Sequence, residues 1–376
     1  MPLGTTRTNP DTHSDLVNTR DGAPTVAVIK TNPATVVADV GSAMRLAKYN
    51  SQLAPDVATL LKINISWQHY YPACSTSPWQ LDGVIKTLKE DGFEDLIPTH
   101  NGTVVVDARE GEVNNKHDVV VRRHGLESVH LEDVEWVPLH FSDDFLVLDQ
   151  IYPDGINIPK FLIDKNVIHL PTMKTHVFTT ITGAMKNAFG GLLNFQRHWT
   201  HSVIHETLVD LLRIQKKIHP GIFALTDGTF AGSGPGPRAM QWHEKNVLLA
   251  GSDQVAIDAV AAKMMGFDPM SIDFIRIADE HGLGCGQISK INIVGEDISD
   301  VNWQFQSGNT LASKGQKMIY WGNLRLLENM LLRSKLTPLA YLASNIYHNE
   351  YWLRFKGKKR INEAMKTQWG RLFLDY

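Results

Sequence analysis

Short runs rich in Val, Ile and Leu alternate with longer amphipathic stretches from Pro24 onward. The short runs have the length of strands, and the stretches between them have the length and periodicity of helices. Apolar strands separated by helices are typical of a parallel sheet that is covered by helices on its faces. The sequence therefore predicts an α/β fold with mainly parallel strands, arranged in two lobes and followed by a helical C-terminal appendage.

The pattern also predicts where the elements and domains begin and end. Eight segments have strand-like apolar patterns: residues 24–30, 59–67, 134–140, 145–152, 165–171, 221–227, 246–251 and 290–295. Five segments have helical patterns: residues 36–50, 80–92, about 201–218, 253–265 and 270–280. We expect residues 1–23 to be a disordered lead-in, residues 24–300 to form the α/β domain with a break near 141–160, and residues 301–376 to form a separate extension.

The composition narrows the class of protein. The net charge of −3 argues against a general nucleic-acid-binding protein. Cys74 and Cys285 are too few for a disulfide framework, a four-cysteine zinc site or an iron–sulfur cluster, and they fit a reducing compartment. The polar N-terminus lacks the apolar core of a signal peptide, and no apolar run reaches the roughly 18 residues of a membrane-spanning helix. These features predict a cytoplasmic protein.

The C-terminal stretch differs from the rest of the chain in charge. Residues 311–376 hold twelve Lys and Arg against four Asp and Glu, an excess of eight positive charges that leaves −11 for the remainder. The stretch is also rich in aromatic residues. It would pack on the acidic body of the same chain, bind a partner or a second subunit, or lie on an anionic membrane surface.

The densest polar segment is LPTMKTHVFTTITGAMKNAFGG at residues 170–191. Its pattern predicts a strand that ends near residue 171, a Thr-rich turn and then a helix. Lys174, His176 and Lys186 would gather near that helix start, a combination that suits a carboxylate or phosphate, with His176 as an acid or base. Further candidate substrate contacts in the segment are Thr175, Thr179, Thr180, Thr182 and Asn187. The alternative is that the lysines are solvated and the threonines only cap a helix.

A second group of polar residues is RHWTHSVIHE at residues 197–206. His201 and His205, and more weakly His198, would share one helical face and form a divalent-metal site. The alternative is that His205 packs in the core with the apolar helix face that follows it. Lys174 and Lys186 would also repel a cation.

A third group lies in TDGTFAGSGPGPRAM at residues 226–240. Asp227 ends a predicted strand, Gly234 would allow close approach of a ligand, and Arg238 would contact an anion. The loop lacks the ending of a phosphate-binding Walker loop, and it is equally consistent with an irregular surface loop. Asn64 follows the second predicted strand and would line the same crevice.

The run PTMKTHVFTTITGAMKNAFGG at residues 171–191 resembles the hallmark of the DUF362 family, approximately P-x-x-K-T-H…T-G-x-x-K-N-x-x-G. Residues 224–237, 248–269 and 60–67 resemble other segments of that family in the same order, so the resemblance covers roughly residues 24–297. Many family members carry a ferredoxin-like cysteine cluster, which implies redox chemistry. This chain lacks such a cluster, so a redox partner protein would have to supply electrons.

The leading hypothesis is an enzyme that acts on an anionic small molecule, with oxidation–reduction favoured by resemblance. Lys174 and Lys186 would hold the anion, His176 would transfer a proton, and Asp227 would orient a lysine, the histidine or a metal. An isomerase or racemase that shuttles a proton or hydride is an alternative. A third hypothesis is a non-catalytic protein that binds a metal or cofactor for a redox partner.

Overall fold

A computed structural model of the chain describes residues 22–103, 106–139, 145–322 and 346–376. The predicted disordered lead-in falls almost entirely on residues 1–21, which lie outside the described residues.

The described strands are, in chain order, β1 Thr25–Lys30, β2 Thr59–Ile63, β3 Leu96–His100, β4 Val129–His130, β5 Trp136–Pro138, β6 Asn157–Pro159, β7 Asn166–Leu170, β8 Thr172–His176, β9 Thr180–Thr182, β10 Ile222–Ser233, β11 Gln241–Gly251 and β12 Asn292–Gly295. Ten of them form one sheet, whose main path runs β12-β1-β11-β10-β7-β2-β3-β4, and β8 and β9 attach to β10. Every pairing along this path is parallel except the two made by β11. The predicted α/β class is confirmed.

The described α-helices are α1 Val36–Leu46, α2 Pro78–Glu90, α3 Ala108–Asn114, α4 His117–Arg123, α5 Leu148–Ile151, α6 Ala184–Asn187, α7 Phe189–Leu192, α8 Ile204–Ile218, α9 Gln254–Met265, α10 Asp273–Glu280, α11 Leu311–Tyr320, α12 Lys358–Ala364 and α13 Gln368–Asp375. A π-helix covers Ile346–Gly357, and 3-10 helices cover Tyr49–Ser51, Lys160–Leu162, Phe195–Val203, Pro269–Ser271 and Ile288–Lys290.

Helices pack on both faces of the sheet, as the alternation of buried residues along the strands requires. In β10, Phe223 and Leu225 face the core under α1, α2 and α13, whereas Ala224 faces the core under α8, α9 and α10. Side chains alternate between the two faces of a strand, so an uninterrupted apolar run marks a strand that is buried on both sides.

Two local features fix the helices α1 and α2 against the sheet. Helix α2 begins with a capping box in which Ser77 and Gln80 satisfy each other's backbone N–H groups, and Pro78 occupies its first position. Gly83 of α2 lies against Val40 of α1, where an added Cβ would come within 2.7 Å of the valine Cβ. The glycine therefore sets the close approach of the two helices.

The prediction of a strand at residues 145–152 is wrong, because this segment contains helix α5. The buried carboxylate of Asp210 accepts hydrogen bonds from the backbone N–H groups of Leu146, Val147 and Leu148 at 2.8–3.2 Å. A distant carboxylate thus satisfies the free N–H groups at this helix start, and the local apolar pattern carries no sign of it.

The predicted break near 141–160 does not separate two sheets. Strands from both sides of it, β1 to β4 and β7 to β12, join the same ten-stranded sheet, and β5 pairs with β6 across it as a small separate ribbon. Among the described residues, no helix has both the length and the apolar character that crossing a bilayer requires.

The described end of the basic extension packs on the α/β body. Trp369 is buried against Trp79 of α2, and its indole N–H donates to the Asn246 side chain at 2.7 Å. Trp352 is buried between Trp67 and Tyr71. Aromatic burial therefore holds this segment to the sheet domain.

Replacing Trp369 with Ala should destabilise the protein by about 3–5 kcal/mol, because it removes a buried indole and leaves a cavity. Leu374→Ala, at a side chain that is 61% exposed, is the control and should change the free energy of unfolding by no more than about 0.5 kcal/mol. Urea denaturation measures both. An unchanged midpoint in Trp369→Ala would show that the segment does not pack on the body.

Candidate functional site

The candidate site lies at the carboxyl ends of the parallel strands, the edge where open α/β sheets bind ligands. Only Pro171 separates strand β8 from β7. Strand β8 pairs with the second half of β10, where Lys174 lies opposite Gly232. It then folds back as β9, so that Lys174 is paired with Thr182. The polar segment therefore forms a hairpin beyond the sheet edge, where the sequence predicted only a turn.

Lys174 is completely buried and makes its polar contacts inside the protein. Its ammonium group lies 2.8 Å from the Asn64 amide oxygen, 2.5 Å from the Cys74 carbonyl, 3.0 Å from the Thr172 hydroxyl and 3.2 Å from the Ser66 hydroxyl. All these acceptors are neutral, and burial lowers the lysine pKa to about 8. The predicted proximity of Lys174 and Asn64 is observed, but an anion would have to displace one of these acceptors.

The helix start in this segment is occupied by a carboxylate of the protein itself. Asp258 accepts hydrogen bonds from the backbone N–H groups of Ala184 at 2.6 Å and Met185 at 3.1 Å. Burial raises the pKa of Asp258 to about 7, although both hydrogen bonds lower it. The helix start that was predicted to suit an anion is therefore not open to a ligand, because α6 begins at Ala184 and Asp258 already fills its N-terminus.

The predicted contact residues of this segment mostly bind the protein itself. Thr175 donates to the carbonyl of Gly234, Thr179 donates to the carbonyl of Ile181, and Asn187 donates to the carbonyl of Lys62. Thr180 has a positive φ of 63° in the turn into β9. The buried Thr182 hydroxyl has no hydrogen-bond partner among the described residues.

His176 is held by the backbone of the hairpin turn. Its Nδ1 atom accepts hydrogen bonds from the N–H groups of Phe178 at 3.2 Å and Thr179 at 3.3 Å. Burial, together with the positive charge of Lys186, holds its pKa well below the ordinary value. A neutral ring that accepts through Nδ1 carries its proton on Nε2. His176 therefore offers a hydrogen-bond donor rather than a readily titrated base.

Lys186, Lys62 and Arg197 form a cluster of positive groups that we call the lysine pocket. Burial, together with the charges of Lys174 and Arg197, lowers the pKa of Lys186 to about 7. Burial and repulsion from Arg197 also lower the pKa of Lys62 to about 7, although the nearby Glu132 carboxylate acts to raise it. Among the described residues, neither lysine has a carboxylate within ion-pair distance. Within the described part of the chain, the one contact of the Lys186 ammonium group is a cation–π contact with Phe189.

A cavity of about 190 Å³ opens beside the lysine pocket. Arg197 and Glu132 line it, as does Asn101, whose amide oxygen accepts a hydrogen bond from Lys62 at 3.0 Å. A larger described cavity of about 700 Å³ lies at the opposite edge of the sheet, around the first residues of β1 and β10. It contains none of the predicted site residues, so we place the site at the carboxyl edge.

The side chains of Asp227 and Arg238 form hydrogen bonds with groups other than those predicted. The Asp227 carboxylate accepts hydrogen bonds from the Ser77 hydroxyl at 2.5 Å and the Thr229 N–H at 2.6 Å. Among the described residues it has no hydrogen bond or ion pair with a lysine or histidine, so the expected orienting contact is not observed. Arg238 donates to the Ser66 carbonyl at 3.0 Å, next to the residues that hold Lys174.

Contrary to the prediction, His198, His201 and His205 do not share one helical face. Residues 195–203 form a 3-10 helix, and α8 begins only at Ile204, so the spacing does not align them. His201 Nδ1 contacts the His198 carbonyl, and His205 Nδ1 accepts the Phe274 N–H. Within the described residues, these histidines are not among the side-chain groups that bring three ligand atoms close enough for a metal.

Lys62 belongs to the site although the sequence analysis did not select it. The sequence feature that could have indicated Lys62 is its place inside the apolar strand run LLKI, because lysine is rarely fully buried unless it is paired. Gly191 lets it approach, since an added Cβ there would lie 3.0 Å from the lysine Cε.

Residues 59–263 match the family described as Domain of unknown function (DUF362), which is more than half of the chain. The chain belongs to the DUF362 family. The Thylakoid-associated protein sll1697 of Synechocystis sp. is 31% identical over 124 residues, which cover 31% of this chain and 37% of that relative. The match thus spans little more than a third of the relative's length. No solved structure matches the chain.

Gly183→Ala should destabilise the protein by about 1–3 kcal/mol, because the new Cβ would lie 2.1 Å from the Asp258 carboxylate and force α6 away from it. Gly315→Ala in α11 is the matched control, since nothing lies within 4 Å of its added Cβ, and it should be neutral or slightly stabilising. Thermal denaturation compares the two. Equal stability of both variants would contradict the close contact with Asp258.

Proposed function

We propose that this DUF362 protein is an enzyme that binds a small carboxylate or phosphate in the lysine pocket. The observation that carries the proposal is that the buried Lys62 and the half-buried Lys186 have no carboxylate within ion-pair distance among the described residues, although Glu132 lies near Lys62. A buried ammonium group without a counter-charge is costly and loses its proton readily. An anionic ligand between these lysines and Arg197 would supply the missing counter-charge.

The proposal assigns proton transfer to Lys186 rather than His176. A group with a pKa near 7 exchanges protons efficiently at neutral pH, and the Lys186 amine has that property. His176 would donate a hydrogen bond from Nε2 to the ligand, and Lys174 would hold Asn64 and the surrounding loop in place. The favoured reaction class is oxidation–reduction, which rests on the family resemblance, with electrons supplied by a partner protein.

Anion binding at pH 8 should be accompanied by proton uptake, because the ligand raises the pKa of a lysine that is largely neutral in the free protein. For the same reason, affinity should fall as the pH rises above about 7. Titration calorimetry with inorganic phosphate and small mono- and dicarboxylates, repeated in two buffers of different ionisation enthalpy, measures the proton uptake.

Lys186→Met should weaken that binding at least about tenfold, the typical value of a charge-assisted hydrogen bond. Lys30→Met is the control, since Lys30 is exposed, pairs with Glu296 at 3.0 Å and lines none of the described cavities, and it should bind like the natural protein. If no anion of the panel binds, or if Lys186→Met binds as well as the control, the lysine pocket is not the substrate site.

We also propose that the protein contacts anionic membrane surfaces through Tyr351 and Phe355. These rings are 57% and 71% exposed and lie 5.3 Å apart on the π-helix, which also carries Arg354 and Lys356. Exposed aromatic side chains beside basic ones are typical of interfacial helices. The name of the thylakoid-associated relative is in keeping with such contact.

Tyr351→Ser/Phe355→Ser should lose co-sedimentation with vesicles that contain anionic phospholipid, whereas Leu374→Ser, at another exposed apolar residue, should retain it. Vesicles of neutral phospholipid should bind neither variant appreciably. If the natural protein does not sediment with anionic vesicles, membrane contact through this surface is excluded.

A further inference from the structure

Three side chains outside the lysine pocket bring their polar atoms together. Glu112 Oε2 lies 3.1 Å from His100 Nε2 and 3.2 Å from His130 Nε2. One ligand atom from each of the three residues lies within 4.8 Å of the others. His100 is completely buried, and Glu112 and His130 are largely buried.

The fold places these residues together from three elements. His100 and His130 are the last residues of β3 and β4 and are paired in register, with their ring centres 4.5 Å apart. Glu112 reaches them from α3, which packs closely on the segment after β2 through Gly111, where an added Cβ would lie 2.5 Å from Ile65. All three therefore lie at the carboxyl edge of the sheet.

One carboxylate oxygen faces both rings. Glu112 Oε2 lies against Nε2 of His100 and Nε2 of His130, whereas Asp133, which pairs with Arg109, lies 3.8 Å from Nδ1 of His130. The Nδ1 atom of the buried His100 has no hydrogen-bond partner among the described residues. A cation between the two Nε2 atoms and Oε2 would contact all three ligand atoms at once.

The spacing also fits a metal ion. Bonds of about 2.0–2.1 Å at angles between octahedral and tetrahedral place neighbouring ligand atoms about 2.8–3.4 Å apart. The two observed separations, 3.1 and 3.2 Å, lie in that interval. We propose that His100, Glu112 and His130 bind a divalent transition-metal ion such as Zn²⁺.

Neighbouring groups support this assignment. Ser128 donates to Glu112 Oε1, which leaves Oε2 for the metal, and Asp133, which pairs with Arg109, faces the other ring nitrogen of His130 at 3.8 Å. The positive charge of Lys62 opposes a cation here, and the Glu112 carboxylate offsets that charge. Three protein ligands leave room for a water or a ligand atom, as in catalytic zinc sites.

Metal binding is measured by titrating the metal-free protein with Zn²⁺ and with Co²⁺, whose absorption reports the ligand set. The natural protein should bind one ion per chain. His130→Ala and Glu112→Gln should each weaken binding at least tenfold. His124→Ala is the matched control, because His124 pairs with Asp82 at 2.6 Å without a second histidine, and it should bind normally.

His100 is completely buried, so its Ala variant would leave a cavity in the core. His130, with 14% of its side chain exposed, is therefore the histidine to replace. Circular dichroism checks that each variant is folded. The proposal is overturned if the natural protein binds neither ion, if His130→Ala binds as tightly as the control, or if only His201→Ala/His205→Ala loses the metal. Anion binding is measured separately on Lys186→Met, so failure of one proposal does not decide the other.

Discussion

The arrangement of the site depends on the length of β10. This twelve-residue strand continues past the sheet edge at which β7 ends, and its second half pairs with β8. The backbone hydrogen bonds of that extension hold the β8–β9 hairpin, and with it Lys174 and His176, beyond the carboxyl ends of β2, β3 and β7. Without the extension, β8 would keep only β9 as a partner, and its buried backbone groups that face β10 would lack partners.

Burial of charge then determines what each group in this region can do. Asp258 satisfies the N-terminus of α6, so an anion there would have to be held by side chains instead. Lys174 is satisfied by neutral acceptors, whereas the contact of Lys186 among the described residues is with an aromatic ring. Desolvation without a counter-charge brings the pKa of Lys186 into the neutral range, which makes it the group best suited to proton exchange.

The sequence predicted the elements whose signals are local and missed those that depend on distant partners. The alternation of apolar runs was sufficient for β1, β7 and their neighbouring helices. No local sequence pattern indicates the β8–β9 hairpin, because β8 is held by pairing with β10. Helix α5 depends on Asp210, which is more than sixty residues away in the chain. Lys174 and Lys186 were predicted from the family-like motif. Lys62, His100, Glu112 and His130 come from separate strands and a short helix, and only the folded chain brings them together.

The proposed function depends on Lys62 and Lys186 having no ion-paired carboxylate among the described residues of the free protein, and on an anion that completes the pairing. The most direct measurement is an NMR titration of the lysine side chains, with Lys62→Met and Lys186→Met used for assignment. We predict two lysine signals that titrate near pH 7 in the free protein and move to higher pH when a binding phosphate or carboxylate is added. If every lysine titrates near its ordinary value of about 10.4, with or without the anion, the lysine pocket does not exist in the form described.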